Sequence, residues 1–551
     1  MVFEPDEKVE AGWSRRTAWH FATVLAVSTA YEALFVYYGL NLLDEAWPLR
    51  VAWQLGEGHQ LYRDAFWVFP PGHLLPAWIA YRLAPPGVVL ARAFYAVFSV
   101  LLSAGIYWLA RHLMPARFAL LTAVCVALAA PNTHLMHAVF GYRYMIFSVL
   151  ALIAFARRIE SDESRWLLCA GLLLGVGALF RLEAPFAAGV GIGVAVAALT
   201  PDWRRWWVDW AWLATGILAV LVPLLVWAQT TIGVDVLFRE IVTRPATMLL
   251  LQSLEFPRFD APLGWRDRVG IRELFVALQF RLAWLLLVGY AIGLGWSWLR
   301  ARRLGVPFQH GLLLAVWLWA MVFFTRSTTR SDEPHLDSVI PPVVLLVCHA
   351  IWLAARSTLR RLGWAGATWR GTAQVGLCIG ALAVWVVLLG TDTWLPLTRR
   401  GGNPVASLDG RVEVQANHQA ALTDLIIGRL RLAPPAAPIL DLTASPMYLL
   451  LAKRNSYGTN DIVMPGAFLS GEEELDFLRR VQADPPALVI WSKRPFDNDP
   501  SKAVEVTAPR LAAWVLANYE RWGWVRRHYL MGPRGAQPPP GWGLEEGSPN
   551  P

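Results

Sequence analysis

Charged residues are scarce in this sequence. Only 16% of its 551 residues are Asp, Glu, Lys or Arg, whereas 56% are hydrophobic and the mean hydropathy is +0.40. Soluble domains usually carry about 25% charged residues, so most of this chain is expected to lie in lipid. The formal net charge of +8 is then expected to follow from membrane topology, and no nucleic-acid partner is expected.

Cysteine is almost as scarce. The four cysteines, Cys125, Cys169, Cys348 and Cys378, all lie inside apolar segments, which gives no basis for a disulfide framework or a zinc cluster. No cleavage site follows the first apolar stretch, so that stretch is expected to be a retained membrane anchor. An internal repeat is also lacking, which argues against a transporter built from inverted halves.

What the sequence does have is a series of long apolar runs. A spanning helix needs roughly 20 mostly apolar residues. The segments of this kind predict an α-helical polytopic membrane protein with about eleven transmembrane helices, at 17–40, 88–110, 118–131, 142–156, 166–181, 184–200, 208–230, 282–299, 309–325, 338–355 and 373–394. The short, proline-bearing segment 72–84 is expected to be a helix along the membrane surface.

Basic residues indicate the orientation. With the N-terminus inside, short arginine-bearing connections fall on the cytoplasmic side, as the positive-inside rule requires. The longer segments 41–87, 231–281 and everything after 395 then lie outside. We therefore expect a cytoplasmic N-terminus and an extracytoplasmic C-terminal region.

The last third of the chain has a different composition. Short apolar runs at 438–442, 487–491 and 524–531 alternate with amphipathic stretches at 417–430, 471–483 and 508–520. Strands alternating with helices predict a small α/β domain. The expected organisation is a membrane domain at 1–395 with the outer loop 41–87, an α/β domain at 396–530, and a disordered Pro/Gly-rich tail at 531–551.

Unusual polar residues collect in four clusters on the predicted outer face. The adjacent carboxylates of Asp44 and Glu45, close to hydrocarbon, are costly to desolvate and open to pKa shifts. The candidate site residues of the clusters are Asp44, Glu45, Tyr62, Arg63 and Asp64 in the first loop, His137, Arg143 and Tyr144, then Arg181 and Glu183, and finally Arg326, Arg330, Asp332 and His335. Because one face holds all four clusters, they could converge on one cavity.

Each cluster also has a structural interpretation. The pair at 44–45 could cap the following helix, since carboxylates favour a helix N-terminus. The Tyr62-Arg63-Asp64 triplet could form a loop salt bridge, and Arg181 could pair with Glu183, as charges within membranes usually do. The histidines at 134 and 137 could be interfacial packing residues, and the 326–337 loop could be a solvated turn.

Several motifs together resemble a known family. An acidic dipeptide opens a long first outer loop, Leu61-Tyr62-Arg63-Asp64 and Pro70-Pro71 follow, and a later loop carries Arg330-x-Asp332-x-x-His335. This pattern, over roughly residues 15–395, is similar to the GT-C membrane glycosyltransferases, and especially to bacterial protein O-mannosyltransferases and lipid A aminoarabinose transferases. The resemblance implies a bacterial inner-membrane protein with eleven to thirteen helices.

The resemblance also implies a reaction. A sugar would move from a polyprenyl-phosphate donor to an envelope acceptor that the sequence does not identify. Asp44 would be the general base and Glu45 would assist it. Arginine suits the lipid phosphate, with Arg330 as the first candidate and Arg326, His335 and Arg181 behind it. Asp332 would belong to the same phosphate site, and the remaining candidates of the first three clusters would bind substrate.

One departure from the family bears on cofactors. Many relatives carry a second acidic residue in the outer loop after the third helix, but here that loop reads PNTHLMHAVFGYRY. A divalent metal is therefore not favoured, and no cofactor is expected. Two other functions stay open: a transporter or flippase for a lipid-linked sugar, and a degenerate transferase that serves as an assembly subunit.

Overall fold

The computed structural model describes residues 14–538. The gaps in this range are residues 38, 85–86, 129–141, 201, 258–267, 333–334, 337, 362–401, 405–411, 416–418, 455, 459 and 526–527. The helix expected at 373–394 and the candidate residue His137 therefore lie outside the described residues.

Long helices build the first part of the chain. Each of the other ten apolar segments named above is helical. The corresponding helices are α1 (Arg15–Phe35), α4 (Val88–Arg111), α5 (Ala116–Leu128), α6 (Met145–Ser161), α7 (Arg165–Phe180), α8 (Glu183–Leu199), α9 (Trp203–Thr231), α12 (Arg268–Leu304), α13 (Gly311–Thr325) and α14 (Ile340–Arg361).

Some of these helices are long and apolar enough to cross a bilayer unaided. They are Val88–Arg111, Trp203–Thr231, Val276–Leu304, Gly311–Thr328 and Ile340–Thr358. A helix rises 1.5 Å per residue and the hydrocarbon core is about 30 Å thick, so these lengths are sufficient. The chain is a multi-pass membrane protein, and the predicted fold class is confirmed.

Glycines permit close contact between α7 and α9. A Cβ added at Gly171 would lie 2.1 Å from the Leu213 backbone oxygen, and one added at Gly216 would lie 2.4 Å from the Leu168 oxygen. Small residues at such crossings let helix backbones approach in lipid, where the hydrophobic effect gives no driving force for association. These two positions therefore fix how α9 lies against the helix that leads into the candidate site.

The loop at 41–87, which was predicted to lie on the outer face, is folded. It contains α2 (Ala46–Gly56), a 3-10 turn (Pro71–Leu74) and α3 (Leu75–Leu83). Its aromatic residues pack together, with Trp47 stacked on Phe66 at 5.4 Å between ring centroids and Trp67 against Phe69 at 5.1 Å. The loop therefore has a small hydrophobic core of its own, which holds the residues before and after it in place.

A second irregular region follows α9. It comprises α10 (Val234–Phe238), a π-helical turn (Arg239–Thr243) and α11 (Arg244–Leu251). Proline at the second position of α11 is compatible with a helix start. This segment lies between the bundle and the C-terminal domain and contacts both.

The C-terminal part is the predicted small α/β domain. A four-stranded sheet has the order β3-β4-β6-β5, in which β3 and β4 are parallel and the other neighbours are antiparallel. Its elements, with a separate two-stranded ribbon, are β1 (Gly402–Pro404), β2 (Glu413–Gln415), α15 (Gln419–Leu432), β3 (Ile439–Leu442), α16 (Met447–Ala452), α17 (Gly471–Ala483), β4 (Leu488–Ser492), α18 (Val504–Thr507), α19 (Pro509–Asn518), β5 (Tyr519–Val525) and β6 (His528–Pro533).

The end of this domain differs from the expectation in one respect. The run at 524–531 was expected to be a single strand, but Trp524 pairs with Tyr529 across a hairpin formed by β5 and β6. A run of β-formers can form two strands of a hairpin instead of one continuous strand. Strand β6 continues to Pro533, past the residue at which the tail was expected to begin.

Buried ion pairs attach the α/β domain to the membrane part. Arg50 of α2 donates to Asp461 at 3.0 Å, and both side chains are almost fully buried. Arg244 of α11 donates to Glu240 at 2.6 Å and to Glu473 of α17 at 3.0 Å. Removing one partner of a buried pair leaves an uncompensated charge, so these contacts hold the domain in one position over the bundle.

Candidate functional site

Five segments of the chain meet around one polar cavity of about 460 Å³. The loop between α1 and α4 contributes its start and its later aromatic stretch. The other four segments are the link between α7 and α8, helix α11, the loop after α13, and the α/β domain. The lining includes Asn41, Asp44, Trp47, Phe69, Arg181, Glu183, Met248, Gln252, Arg326, Arg330, Asp332, His335, Met464, Phe496 and Asp497. Three of the four polar clusters named from the sequence thus contribute to a single space.

Asp44 is held at the cavity wall by Asn41. The Asn41 side-chain oxygen accepts from the backbone N–H of Asp44 at 2.8 Å, and its amide nitrogen donates to the Asp44 carboxylate at 3.2 Å. The same oxygen also accepts from the backbone N–H of Leu43 at 3.0 Å, so Asn41 forms an Asx turn that folds the backbone ahead of a helix. The backbone of Asp44 is therefore fixed, and its side chain lies in the cavity wall with part of its surface accessible.

The pKa of Asp44 is raised to about 6. Burial is the largest cause, and the carboxylates of Asp332 and Asp497 add to it; the hydrogen bond from Asn41 and the charge of Arg330 oppose it. Desolvation disfavours the ionised form of a carboxylate. A carboxylate with this pKa is ionised at neutral pH and is a stronger base than an ordinary aspartate.

Glu45 does not line the cavity. Arg92 of α4 donates to both of its oxygens, at 2.5 and 2.8 Å, and both side chains are about 2% exposed. Arg92 also donates to the Val36 and Gly39 backbone oxygens. Although Glu45 occupies the N-cap position of α2, its side chain makes no capping bond. It ties the start of the outer loop to α4.

Arg181 and Glu183 lie at the junction of α7 and α8. They pair at 3.0 Å, and Arg326 approaches Glu183 at 3.3 Å. The Arg181 guanidinium also lies 4.0 Å from the centre of the Phe69 ring, a cation–π contact. Two cations share one carboxylate here, so this corner of the cavity carries excess positive charge.

Arg330 is occupied by protein carboxylates. It donates to both oxygens of Asp497 in the α/β domain, at 2.9 and 2.6 Å, and to Asp332 at 3.1 Å. A bidentate arginine–carboxylate pair is strong and directional. Arg330 therefore connects the cavity floor to the α/β domain. Asp497 has a positive φ of 56°, which a non-glycine residue adopts at a cost.

Asp332 and His335 form a pair beside Arg330. The His335 ring and its backbone N–H both bond to the Asp332 carboxylate. Burial alone would raise the pKa of Asp332, but the hydrogen bond from His335 and the nearby positive charge lower it. Burial lowers the pKa of His335 despite the opposing effect of Asp332. The carboxylate orients the imidazole, as in many catalytic and metal-binding sites.

An apolar groove of about 980 Å³ adjoins the polar cavity. Side chains of α7, α8, α9, α11 and α13 form its walls, among them Leu174, Phe186, Trp210, Ile217, Leu249 and Phe323. Phe69, Glu183 and Arg326 line both spaces. A hydrocarbon chain in the groove would therefore place its polar end beside Arg326.

The motif Tyr62-Arg63-Asp64 lies away from the cavity lining. Tyr62 is buried with a φ of 64°, and its hydroxyl donates to the Phe69 backbone oxygen. Asp64 accepts from the Gln60 backbone N–H at 2.9 Å. These bonds shape the loop that presents Phe69, so the motif supports the site from behind rather than entering it.

The described residues of the second cluster, Arg143 and Tyr144, are also apart from the cavity. Arg143 donates to Ser99 at 2.8 Å within the bundle, and Tyr144 donates to the His73 backbone oxygen at 3.1 Å. The His73 ring in turn bonds the Phe180 backbone oxygen at 3.1 Å. These contacts fasten the outer loop to the end of α7.

Several cavity residues were not anticipated from the sequence. Asn41, Phe69 and Gln252 lie in the segments that hold the polar clusters or next to them, and an asparagine a few residues ahead of a helix, as is typical of an Asx turn, could have indicated Asn41. The three residues from the α/β domain, Met464, Phe496 and Asp497, belong to no motif. Among the described residues, no group of three or more His, Cys, Asp and Glu side chains is arranged to hold a metal ion.

Comparison with known proteins confirms the resemblance. The family model for dolichyl-phosphate-mannose-protein mannosyltransferase matches residues 69–227, and no curated protein matches the chain. The fold is similar to that of ArnT from Cupriavidus metallidurans bound to undecaprenyl phosphate (TM-score 0.52, 16% identity, 93% of this chain and 97% of that one).

A second solved structure supports the same fold. It is the archaeal oligosaccharyltransferase AglB from Archaeoglobus fulgidus in complex with an inhibitory peptide and a dolichol-phosphate (TM-score 0.51, 12% identity, 87% of this chain and 69% of that one). At these identities the likeness establishes the fold that this chain shares with these two structures.

Proposed function

From a GT-C fold with a carboxylate and arginines around one cavity, we propose that this chain is an integral-membrane glycosyltransferase. It moves a sugar from a polyprenyl-phosphate-linked donor to an acceptor at the extracytoplasmic face, with Asp44 as the general base. The observation that carries the proposal is that Asp44 and Arg326 line the same cavity, and that Arg326 also lines the apolar groove.

The groove accounts for the lipid part of the donor. Its walls are aliphatic and aromatic side chains of membrane helices, which are as apolar as lipid tails and so can hold a polyprenyl tail without a desolvation cost. The solved ArnT and AglB structures hold undecaprenyl phosphate and dolichol phosphate respectively. A polyprenyl tail lying between α8 and α11 would bring its phosphate to the mouth of the cavity.

We assign the binding of the donor phosphate to Arg326 and Arg181. Both cations share Glu183, so an arriving phosphate meets excess positive charge there. Arg330, the first candidate from the sequence, already holds Asp497 and Asp332, and we place it second. Fixed positive groups stabilise the charge that develops on the leaving phosphate.

Asp44 completes the reaction. It accepts the proton of the acceptor hydroxyl as that oxygen bonds to the anomeric carbon. The bond between that carbon and the phosphate oxygen breaks, and its electron pair leaves with the polyprenyl phosphate. The leaving group departs as a stable anion and needs no proton. With arginines stabilising this charge, the proposed reaction needs no metal ion.

The remaining candidates support this arrangement without entering the reaction. Glu45 fixes the backbone on which Asp44 stands, through Arg92. Tyr62 and Tyr144 hold the loop that carries Phe69. Asp332 orients the ring of His335. We propose that this imidazole forms a hydrogen bond with a substrate hydroxyl in the cavity.

The test compares envelope glycans in a strain lacking this protein and complemented with defined variants. Wild-type protein restores a sugar modification visible by mass spectrometry, and Asp44→Asn does not, although it reaches the membrane in equal amount. Asp476→Asn is the matched control, because Asp476 is an exposed aspartate of the α/β domain and does not line the cavity. Unchanged glycans with an altered distribution of lipid-linked sugar between leaflets would instead identify a flippase.

A further inference from the structure

A second large cavity lies in the α/β domain. Its volume is about 880 Å³, and its lining includes Leu442 and Thr443 at the end of β3 and Trp491 and Ser492 at the end of β4. These are the carboxyl ends of the two parallel strands. Ligands of α/β sheets bind preferentially at that edge, where the chain leaves the strands in diverging loops.

Positive charge dominates the lining of this second cavity. Lys493, Arg494, Lys502 and Arg521 line it, against the carboxylates of Asp497 and Glu505. An excess of one sign in a concave site raises the local concentration of the opposite charge. The chemistry of the lining therefore selects an anion.

Two of these cations lie on one aromatic ring. Lys493 Nζ is 4.5 Å and the Arg521 guanidinium carbon 4.0 Å from the centre of the Tyr529 ring. Cation–π contacts at exposed sites are weakly stabilising, and they account for the position of each cation on the ring. In the described part of the chain, however, no carboxylate pairs with either cation, so two like charges are held together without a protein counter-ion.

The second cavity adjoins the catalytic one. Met464, Phe496 and Asp497 line both spaces. Asp497 accepts from Arg330 on the catalytic side and from Lys502, at 3.1 Å, on the other. A molecule that occupies the second cavity is therefore next to the space that contains Asp44.

We propose that the second cavity binds an anionic group of the acceptor, a phosphate or carboxylate borne by a saccharide, while the hydroxyl to be glycosylated enters the catalytic cavity. Lys493 and Arg521 contact this group. The assignment rests on the proposed transferase function and adds the class of acceptor to it.

The test uses the full-length protein in nanodiscs of neutral lipid, with glucose 6-phosphate, glucuronate and glucose as probes. We expect both anionic probes to bind more tightly than glucose. The double variant Lys493→Gln/Arg521→Gln should weaken them at least about tenfold, in line with the loss of two charge-assisted contacts. Both side chains are exposed, so the variant is expected to fold.

Arg479→Gln is the matched control, because Arg479 is an exposed arginine of the same domain, paired with Asp476 and absent from the cavity lining. Equal binding by the double variant and wild type, or an equal loss in the control, would overturn the proposal. Competition by nanodiscs that contain phosphatidylglycerol would support a lipid-borne phosphate as the source of the anion, and its absence would support a soluble glycan.

Two further measurements separate this proposal from the transferase function. In transfer assays the double variant should raise the KM for an anionic acceptor and leave the binding of undecaprenyl phosphate unchanged. Asp44→Asn should abolish transfer and still bind glucose 6-phosphate. If Asp44→Asn transfers sugar normally, the proposed transferase mechanism is wrong. If Asp44→Asn is inactive but the double variant binds the anionic probes as tightly as wild type, only the assignment of the acceptor is wrong.

Discussion

The two ends of the helix bundle hold buried charge in different ways. Where α7 meets α8, Arg181 and Glu183 line an open cavity together with Arg326. At the other end of α7, Arg158 donates to Asp209 at 2.8 Å and Ser164 donates to the same carboxylate at 2.6 Å. There the Asp209 side chain is 1% exposed, and its partners close around it.

This difference separates two uses of an ion pair. A buried pair without free space beside it fixes helices relative to one another, because either charge alone would be costly to bury. A pair beside a cavity can exchange one partner for a ligand of the same charge. We therefore expect substitutions at the cavity end to change the reaction, and substitutions at the opposite end to change stability.

The largest effects are expected when Asp44 and Asp209 are each replaced by asparagine in separate variants. Asp44→Asn removes the base and should lower sugar transfer by about 10²- to 10⁴-fold with little change in thermal unfolding. Asp209→Asn leaves Arg158 with only the exposed Asp162 as its charge partner and should lower the free energy of unfolding by about 1–3 kcal/mol, because a buried hydrogen-bonded charge is lost. Its transfer rate per folded molecule should stay near that of wild type. The opposite pattern would refute the comparison.

The next comparison is between the transfer rates of two arginine variants. Arg326→Gln should slow transfer by about 10²- to 10³-fold, because a fixed positive group beside the leaving phosphate is lost. Arg205→Gln, at the opposite end, removes an exposed arginine that pairs with Asp162 and should leave the rate unchanged. Single-turnover rates with a saturating donor measure both, and a loss in Arg205→Gln alone would reverse our assignment.

The pH profile provides a third comparison. Burial raises the pKa of Asp44 to about 6, whereas hydrogen bonds from Arg205 and Arg158 lower the pKa of Asp162 at the other end. The base must be ionised, so transfer at pH 5 should be about a tenth of that at pH 7. This acidic limb should persist in Asp162→Asn. A profile flat from pH 5 to 7 would exclude Asp44 as the titrating base.

Glu45→Gln should have a smaller effect on the reaction. It removes the charge that Arg92 holds and should lower the melting temperature clearly, because breaking a buried pair costs about 3–5 kcal/mol. Transfer per folded molecule should fall by less than about tenfold, through a small displacement of Asp44. A loss as large as that of Asp44→Asn would give Glu45 a direct part in the chemistry.

Chelation should have the smallest effect. If arginines alone stabilise the leaving phosphate, incubation with EDTA followed by desalting should leave the transfer rate within about twofold of the untreated enzyme. Restoration of a lost rate by Mg²⁺ or Mn²⁺ would show that a metal shares this task.

The sequence predicted the helices well because a membrane span is a local property of composition. Every described apolar segment is a helix, and three of the polar clusters meet, since helix ends on one face must lie near one another. The pairing of Glu45 with Arg92 could not be read in the same way, because it joins residues 47 positions apart through the packing of α4.

The contribution of the α/β domain to the site was the largest omission. Asp497 lies 167 residues from Arg330 in a loop without a recognisable motif. Its place at the cavity depends on how the whole domain docks, through buried pairs such as Arg50 with Asp461 and Arg244 with Glu473. Docking of this kind depends on tertiary complementarity, which local patterns of residue type do not encode.

The adjacency of Asp44 and Glu45 imposes a constraint on chain length. One residue faces the cavity and the next is anchored to α4, while Asn41 bonds the Asp44 carboxylate and donates its backbone N–H to Glu45 at 3.3 Å. Insertion or deletion of a single residue in this stretch would turn the wrong carboxylate toward the cavity. Evolution can therefore exchange Leu42 or Leu43 for other apolar residues more freely than it can change the spacing between Asn41 and the two acids.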